Sequence, residues 1–379
     1  MATGRGTHAP VAQLCPLADT VFDAAWDDLA AHAAESNVFA EPWFLDASRS
    51  LPQSAGVQLL TVHQGGRLIG AIPLCIDPQY GRLPLGHVET WLHYHSFLGS
   101  PLLRAGDEIA AWSAMLDALD RSSWARGLIH FTGLAEHGPA HRALIAAAKA
   151  LGRPCPTVHR IERAALAGDL SPEAYYETHV RKKKRKELKR LAARLAEMGT
   201  LATRRFAAPE DRAAWADAYL ALEAKGWKGQ AGSALAAGAA TRAFFHAALA
   251  GAEAAGKLDM LRMDLDGRPI AMLVNFLTPP GGFAFKTTFD EDYARFSPGV
   301  LLQIENLALL DRPALDWIDS CAVENHSMID SIWAERRAIV RVTLPLAGAR
   351  GAATYALART AETAAAGLRA LRSRVPDNG

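Results

Sequence analysis

Two periods of apolar residues alternate along this chain, and they predict its elements in order. Short apolar runs at Val57–Val62 and Leu258–Leu265 each meet a tight polar turn, Gln64-Gly-Gly-Arg67 or Asp266-Gly-Arg268. Each turn leads into a second apolar run, so both read as β-hairpins with G-G or D-G between two strands. The second runs match each other: Gly66-Arg-Leu-Ile-Gly-Ala-Ile-Pro-Leu74 and Gly267-Arg-Pro-Ile-Ala-Met-Leu-Val-Asn275 lie 201 residues apart. In the later half the pattern predicts a strand at 201–206, helices at 209–225 and 239–255, the hairpin at 257–277, a strand at 283–289 and a helix at 298–310. A strand at 315–321, a helix at 327–337 and a strand at 338–344 follow. The earlier half repeats much of this order: helix 22–34, hairpin 57–76, strand 88–98, helix 107–120, strand 127–133, helix 139–151 and strand 156–166. Two domains of one topology, at 1–170 and 200–346, are the economical reading.

Between them, Leu188, Leu191 and Leu195 stand at i, i+3 and i+7 among Lys and Arg. That predicts an amphipathic helix of about 25 residues starting near Glu173 and joining the domains across 171–199. Residues 181–194 (RKKKRKELKRLAAR) hold nine basic residues against the single Glu187. The formal net charge of the whole chain is only +1, so the rest of it is acidic on balance. Such a face is solvated, or meets the phosphates of a cofactor or nucleic acid, or lies on an anionic membrane surface. The Ala-rich stretch 352–374, with Leu357, Leu368 and Leu371, predicts a helical tail (347–379) lying on the second domain.

Composition narrows the classes further. No stretch approaches 18 uninterrupted apolar residues, so no membrane-spanning helix is expected. Cys15, Cys75, Cys155 and Cys321 form no C-x-x-C pair, so neither a disulfide framework nor a zinc site is indicated. His93 and His95 alternate like a ligand pair but have no third ligand near them in sequence, and no metal is expected. The first twenty residues hold no apolar h-region. The expectation is a soluble protein of a reducing compartment, bacterial cytoplasm, with peripheral membrane contact through Arg181–Arg194 as an option.

The densest chemistry lies where an aromatic strand (283–289) runs through Asp290-Glu-Asp into Ser297-Pro298-Gly299 and an apolar helix. Pro suits the first helical position and Ser the N-cap. The free amides and the helix dipole then favour an anion such as a pyrophosphate.

Five segments carry a family resemblance: Arg181-Lys-Lys-Lys-Arg-Lys-Glu-Leu188, Leu222-Glu-Ala-Lys-Gly-Trp-Lys-Gly229, Lys286-Thr-Thr-Phe-Asp290, Phe296-Ser-Pro-Gly-Val-Leu-Leu302 and His326-Ser-Met-Ile-Asp-Ser-Ile-Trp333. As a set they resemble the CelD/BcsL group of GNAT acyltransferases, named for cellulose biosynthesis, over most of residues 178–337. The first half resembles the degenerate N-terminal domain of such tandem proteins through its pattern alone, a build that Fem-type peptidoglycan ligases share. The resemblance implies an α+β fold of two tandem GNAT-like domains, each a mixed, mostly antiparallel sheet flanked by helices, joined by the basic helix. It implies acyl transfer from acyl-CoA or acetyl-CoA to an amine of a cell-envelope saccharide or of a lipid precursor such as a long-chain amino alcohol. The donor would lie in the splay between strands 283–289 and 315–321, its pyrophosphate over Ser297, Pro298, Gly299, Val300 and Leu301. The (Arg/Gln)-x-x-Gly-x-(Gly/Ala) loop of ordinary members is absent, and Arg295-Phe-Ser-Pro-Gly is a partial substitute. The alternatives are a Fem-like ligase using aminoacyl-tRNA, with the basic helix on RNA, and a non-enzymatic membrane-surface scaffold of an envelope assembly. Outside the ligase reading, nucleic acid is not an expected partner.

An amine attacking a thioester must lose a proton, and the oxyanion needs donors. Asp290, ending the strand beside the expected thioester, is one candidate base, and His326, near neutrality by type, is the other. Asp290 is expected to carry more of the role, although an acidic turn and a helix cap would explain the two equally well. Glu223 joins the catalytic candidates beside Gly226-Trp227-Lys228-Gly229, where Trp227 and Lys228 would meet the acceptor. Lys286, mid-strand, either pairs with a carboxylate or faces a polar cleft. The resemblance places an Asn and, seven residues on, a Tyr general acid where this chain has His326 and Trp333. An indole N–H cannot deliver a proton to a leaving thiolate, so Trp333 is expected to line the substrate site instead.

Overall fold

The computed structural model describes residues 8–207, 209–226, 229, 231–232 and 234–372, with 365–372 as backbone only. The chain divides into two units, and each draws on separated parts of the sequence. One comprises Met1–Glu35, Ala55–Arg160 and Ile339–Gly379; the other comprises Ser36–Ser54 and Ile161–Ala338.

In the first unit the predicted hairpin is present as β2 (Gln58–Gln64) and β3 (Arg67–Asp77). Its turn residues Gly65 and Gly66 take φ of 58° and 79°, the left-handed pair that such a turn requires. Around it lie β1 (Val11–Pro16), β4 (His87–Thr90), β5 (Leu102–Leu103), β6 (Leu128–Ala135) and the later part of β13 (Glu335–Pro345). The strand order is β1-β2-β3-β4-β6-β13, with β5 on β3; only β4 and β6 run parallel. Helices α1 (Ala24–Ala31), α3 (Glu108–Arg121) and α4 (Pro139–Ala150) accompany the sheet. One sheet face is apolar: Leu74, Val88, Ile129, Phe131, Val342 and Leu344 join Trp112, Met115 and Leu144 of the helices in one buried cluster. Gly70 is what lets α3 approach, since a Cβ there would stand 2.9 Å from Met115 Cε and 3.0 Å from Ala111 Cβ.

The second unit orders its strands β7 (Thr157–Ala167), β12 (Trp317–Asp319), β11 (Gly281–Phe289), β10 (Arg268–Thr278), β9 (Leu258–Leu265) and β8 (Leu201–Arg205). Only β11 and β12 are parallel. Helices α5 (Pro172–His179), α6 (Lys182–Ala196), α7 (Arg212–Lys225), α8 (Ala239–Ala254) and α9 (Pro298–Glu305) belong to it. So does α2 (Pro42–Ser48), supplied by the early part of the chain. Phe39 packs edge-on against Phe283 at 5.1 Å, Trp43 against Phe276 at 5.1 Å and Phe44 against Phe244 at 5.5 Å.

Several expectations are corrected. The single helix from Glu173 is two helices, α5 and α6, parted at Val180, which is buried in an extended conformation (φ −91°, ψ 121°). Leu188, Leu191 and Leu195 are buried on α6 as the spacing predicted. The helix expected at 327–337 is one 3-10 turn, Ile329–Ser331, followed by β13. Ile329, Ile332 and Trp333 mimic a helical face in sequence, but a turn and a strand entry bury them equally well. The strand expected at 88–98 stops at Thr90, and that at 315–321 is only Trp317–Asp319. The C-terminal helix, α10 (Ala349–Arg372), belongs with the first unit, where Tyr80 donates to Glu362 and Ala358 is buried. Leu357, read as part of its apolar face, is exposed.

Candidate active site

Strands β11 and β12 pair only over Gly281–Phe283 against Trp317–Asp319. β11 then continues to Phe289 with no strand on that flank, so the two part into a V. Amides and carbonyls facing the open side of β11 are available to a ligand that pairs as a strand would. On the other flank β10 follows β11 through a bulge: Val274 pairs with Lys286 and Asn275 with Ala284, leaving Phe285 unopposed. The bulge is held from β10. Buried Asn275 donates to Asp259 (2.8 Å) and Asn306 (2.9 Å), and Asp259 also takes Arg205 and Arg312.

The closed end of the V is locked electrostatically. Arg163 Nε stands 2.6 Å from Asp319 Oδ1, and Arg337 donates to Oδ2 at 3.3 Å. Arg337 also lies 3.9 Å over the Trp317 ring, the cation–π range. Burial alone would raise the Asp319 carboxyl; the two guanidiniums outweigh it and hold the group below the usual carboxylate range. One step on, Cys321 adopts φ 54°, and burial pushes its thiol well up, with Asp319 adding to the rise. Lys286 of β11 is among the cations that oppose that rise.

Helix α9 begins with Pro298 in its first turn as expected, but Ser297 does not cap it through its side chain. Ser297 takes a left-handed conformation (φ 54°), and its carbonyl accepts from Val300 and Leu301 at 3.0 and 3.1 Å. Gly299 is buried where a Cβ would lie 3.1 Å from both Met328 Sδ and Phe289 Cδ1. The end of β11, the start of α9 and the loop that carries His326 therefore converge.

The other expected site residues fall as follows. Asp290 accepts from Lys225 Nζ at 2.7 and 3.0 Å and from the Asp292 N–H at 3.1 Å. Lys225 also reaches Asp292 at 2.6 Å, and Gly226 adjoins Glu291, so the α7 end and the acidic turn, distant in sequence, meet. This geometry makes Asp290 a cap and an anchor and weighs against its serving as a base. His326 is half-buried in a loop, and its Nδ1 has no hydrogen-bond partner among the described residues. Glu223 is buried, accepting from the Leu235 N–H at 2.8 Å, with the Tyr219 phenol close enough to feel its charge. Lys286 is half-buried, its ammonium 5.1 Å over the Phe285 ring. Trp333 is fully buried in the core with Ile329 and Ile332, which corrects its expected place on a substrate wall: no face of it is open to a ligand. Trp227 and Lys228 lie outside the described residues. Both ring nitrogens of His93 are engaged, Nδ1 by the His95 N–H at 3.2 Å and Nε2 by Ser96 Oγ at 3.0 Å. Reading the sequence missed the Arg163–Asp319–Arg337 lock and the bulge, because each depends on pairing between distant strands. The signal available for the lock was an Asp in an otherwise apolar short strand.

Residues 182–321 match the acetyltransferase (GNAT) domain family. This stretch contains the bulge, the V and the start of α9, so the chain carries an acyltransferase domain of the mixed α+β GNAT-like fold. No curated protein matches the chain. Among solved structures it is similar to FemX (TM-score 0.58, 9% identity, 87% of this chain and 96% of that one). It is similar to a conserved protein of unknown function from Bacteroides thetaiotaomicron (TM-score 0.54, 11% identity, 90% and 99% covered). The C-terminal domain of a proposed lysylphosphatidylglycerol synthetase from Agrobacterium fabrum is also similar (TM-score 0.51, 11% identity, 88% and 93% covered). At these identities the likeness is one of fold. Among the described residues no helix is long and apolar enough to cross a membrane.

Proposed function

We propose that the unit formed by 36–54 and 161–338 is an acyl-CoA-dependent N-acyltransferase. The observation that carries this reading is the V between β11 and β12, open along β11 from Ala284 to Phe289 and bordered by the start of α9. The pantetheine amides of the donor pair with the open flank of β11, and its pyrophosphate lies over the turn Ser297–Leu301. An amine approaches the thioester carbonyl, and the developing oxyanion is taken by backbone N–H at the Phe285 bulge. His326 Nδ1 takes the proton of the attacking amine, with Asp290 and Glu223 fixing the α7 end and the acidic turn around the acceptor. The leaving thiolate is protonated from water, since no phenol stands where Trp333 is. The acceptor is an amine of the cell envelope, a saccharide or a lipid precursor; the fold likeness to FemX and to the synthetase domain supports that setting.

A second reading rests on its own observation. Lys182, Arg185, Lys186 and Lys189 border a groove of about 590 Å³ with Leu188, Ala192, Met263, Leu301 and Ile304 among its lining. A basic groove next to α9 suits the phosphates of an aminoacyl-tRNA donor, as in a Fem-like ligase, or an anionic lipid surface. Calorimetric titration with acetyl-CoA, long-chain acyl-CoAs and bulk tRNA separates these readings. Stoichiometric, saturable CoA-thioester binding is the expected result; tRNA binding with a steep salt dependence and no thioester binding would transfer the assignment to the ligase.

A further inference from the structure

The first unit carries a site that its sequence did not advertise. The antiparallel register of β3 and β4 sets Asp77 opposite His87 and Cys75 opposite Glu89. The parallel register of β4 and β6 sets Glu89 beside His130, and β13 adds Thr343 beside His130. Side chains alternate along a strand, so these residues share one sheet face. The opposite face is the apolar core built on Leu74, Val88, Ile129, Phe131, Val342 and Leu344. The polar face is not solvated in the ordinary way: His87, His130 and Thr343 are 2%, 7% and 0% exposed. His87 and His130 border a cavity of about 700 Å³, flanked also by His159, Arg341 and, from α10, Arg359 and Glu362. Part of that polar surface is satisfied within the sheet, where Thr343 Oγ1 meets His130 Nδ1 at 2.9 Å and the Tyr80 hydroxyl at 3.3 Å.

Within it, one ligand atom from each of Asp77, His87 and Glu89 lies within 4.8 Å of the other two. Each of the three is oriented from behind. His87 Nδ1 donates to the Leu85 carbonyl at 3.2 Å, which turns Nε2 toward the carboxylates. Glu89 Oε1 accepts from Thr132 Oγ1 at 2.8 Å, and Asp77 Oδ1 accepts from the Gln79 N–H at 2.7 Å. This leaves one oxygen of each carboxylate and Nε2 of the imidazole. Nε2 has no hydrogen-bond partner among the described residues; its nearest charged neighbour is Glu89 Oε2 at 3.8 Å. Nε2 therefore faces the two carboxylates, an arrangement that a cation held between the three groups satisfies. Ligands held at about 2.0–2.1 Å in tetrahedral geometry stand roughly 3.4 Å apart, so a bound ion needs only small side-chain shifts. Outer partners that fix tautomer and carboxylate orientation are the usual frame of a metal site.

We propose that Asp77, His87 and Glu89 bind one divalent transition-metal ion, with a coordination position open to the cavity. Two carboxylates and one imidazole suit Zn²⁺ or Mn²⁺ better than a thiophilic ion. Three protein ligands and an open position mark a site that meets a ligand, not a closed structural site. The guanidinium of Arg341 in the lining of the same cavity favours an oxyanion as that ligand.

The test uses the full chain without a polyhistidine tag, stripped with chelator and dialysed. Titration calorimetry with Zn²⁺ and with Mn²⁺ alone, together with the visible spectrum of added Co²⁺, reads the site directly. The expected result is one equivalent bound, lost at least tenfold in affinity in Glu89→Gln and again in Asp77→Asn. Bound ion should raise the Tm of the wild-type chain and leave that of the double variant Asp77→Asn/Glu89→Gln unchanged, while both apo forms melt cooperatively. The double variant keeps the shapes of both side chains, so it remains informative if His87 variants fail to fold. No binding by the wild-type chain, or equal binding by the double variant, overturns the proposal; the cluster is then an imidazolium held between two carboxylates.

Discussion

At the scale of single residues, the two expected proton carriers differ in what already holds them. Asp290 is committed to Lys225 and to the turn it caps, whereas His326 Nδ1 is uncommitted. His326→Ala should therefore lower turnover by about 10²–10⁴-fold with little change in CoA affinity, the range of a lost general base. Asp290→Asn should act mainly through acceptor KM, because it loosens Lys225 and the neighbouring loop. Steady-state kinetics on both variants checks this, and a collapse of kcat in Asp290→Asn alone would reverse the assignment. Asp319 predicts stability instead. Asp319→Asn leaves Arg163 and Arg337 without their buried counter-charge and should cost about 3–5 kcal/mol at neutral pH. Because the folded carboxyl lies below its unfolded value of about 3.9, its contribution is complete above that pH and is lost as pH falls through the lower folded value. The gap in Tm between wild type and variant should thus narrow below about pH 4. A gap that stays constant or widens on acidification would show that the carboxyl is not held ionised. Little of this was legible from residue type: Asp290, at a strand end before a helix, looks the same in sequence whether it is a cap or a base.

At the scale of elements, amphipathic spacing was the trustworthy signal on α6, whereas on the longer α10 it misplaced Leu357, which is exposed. Leu188, Leu191 and Leu195 lie where the pattern put them, and both hairpins formed across their Gly-containing turns. Short apolar clusters were not decisive, as Ile329, Ile332 and Trp333 show, because a single turn buries the same spacing as a helix does. The break at Val180 was also hidden, since nothing in the run of Lys and Arg marks it. Two predictions belong here. Gly299→Asp should place bulk and negative charge against Met328 and Phe289 at the start of α9 and weaken CoA-thioester binding, while Gly299→Ala separates crowding from charge. Equal affinities in both and in the wild type would move the pyrophosphate elsewhere. On α6, Lys182, Lys186 and Lys189 border the groove, whereas Lys183 and Arg190 do not. Changing the first three to Gln should weaken binding of the donor or of anionic vesicles and flatten its salt dependence; changing Lys183 and Arg190 should do so less. If the two sets behave alike, the groove is not the anion's seat.

At the scale of the whole molecule, both hairpins of the sequence repeat at an offset of 201 residues formed, but linear boundaries follow the chain and not its contacts. The early segment Ser36–Ser54 belongs to the later unit, and the segment from Ile339 onward belongs to the earlier one. No periodicity encodes such an exchange, because Phe39, Trp43 and Phe44 read as apolar wherever they pack. Their destination is specific: they meet Phe283, Phe276 and Phe244, and Phe283 is the residue at which β11 and β12 part. The closed end of the proposed thioester cleft therefore depends on an early segment of the chain. A fragment of residues 161–338 alone should lack a cooperative melt and CoA-thioester binding, and adding residues 36–54 by fusion should restore both in part. Within the full chain, Phe44→Ala should cost about 3–5 kcal/mol, the usual range for a fully buried Phe. Hydrogen exchange should locate that loss in β10, β11 and α8, sparing the β2–β3 hairpin. If the isolated fragment melts at the temperature of the full chain, the segment is an ornament on the unit and the early chain has no part in forming the cleft.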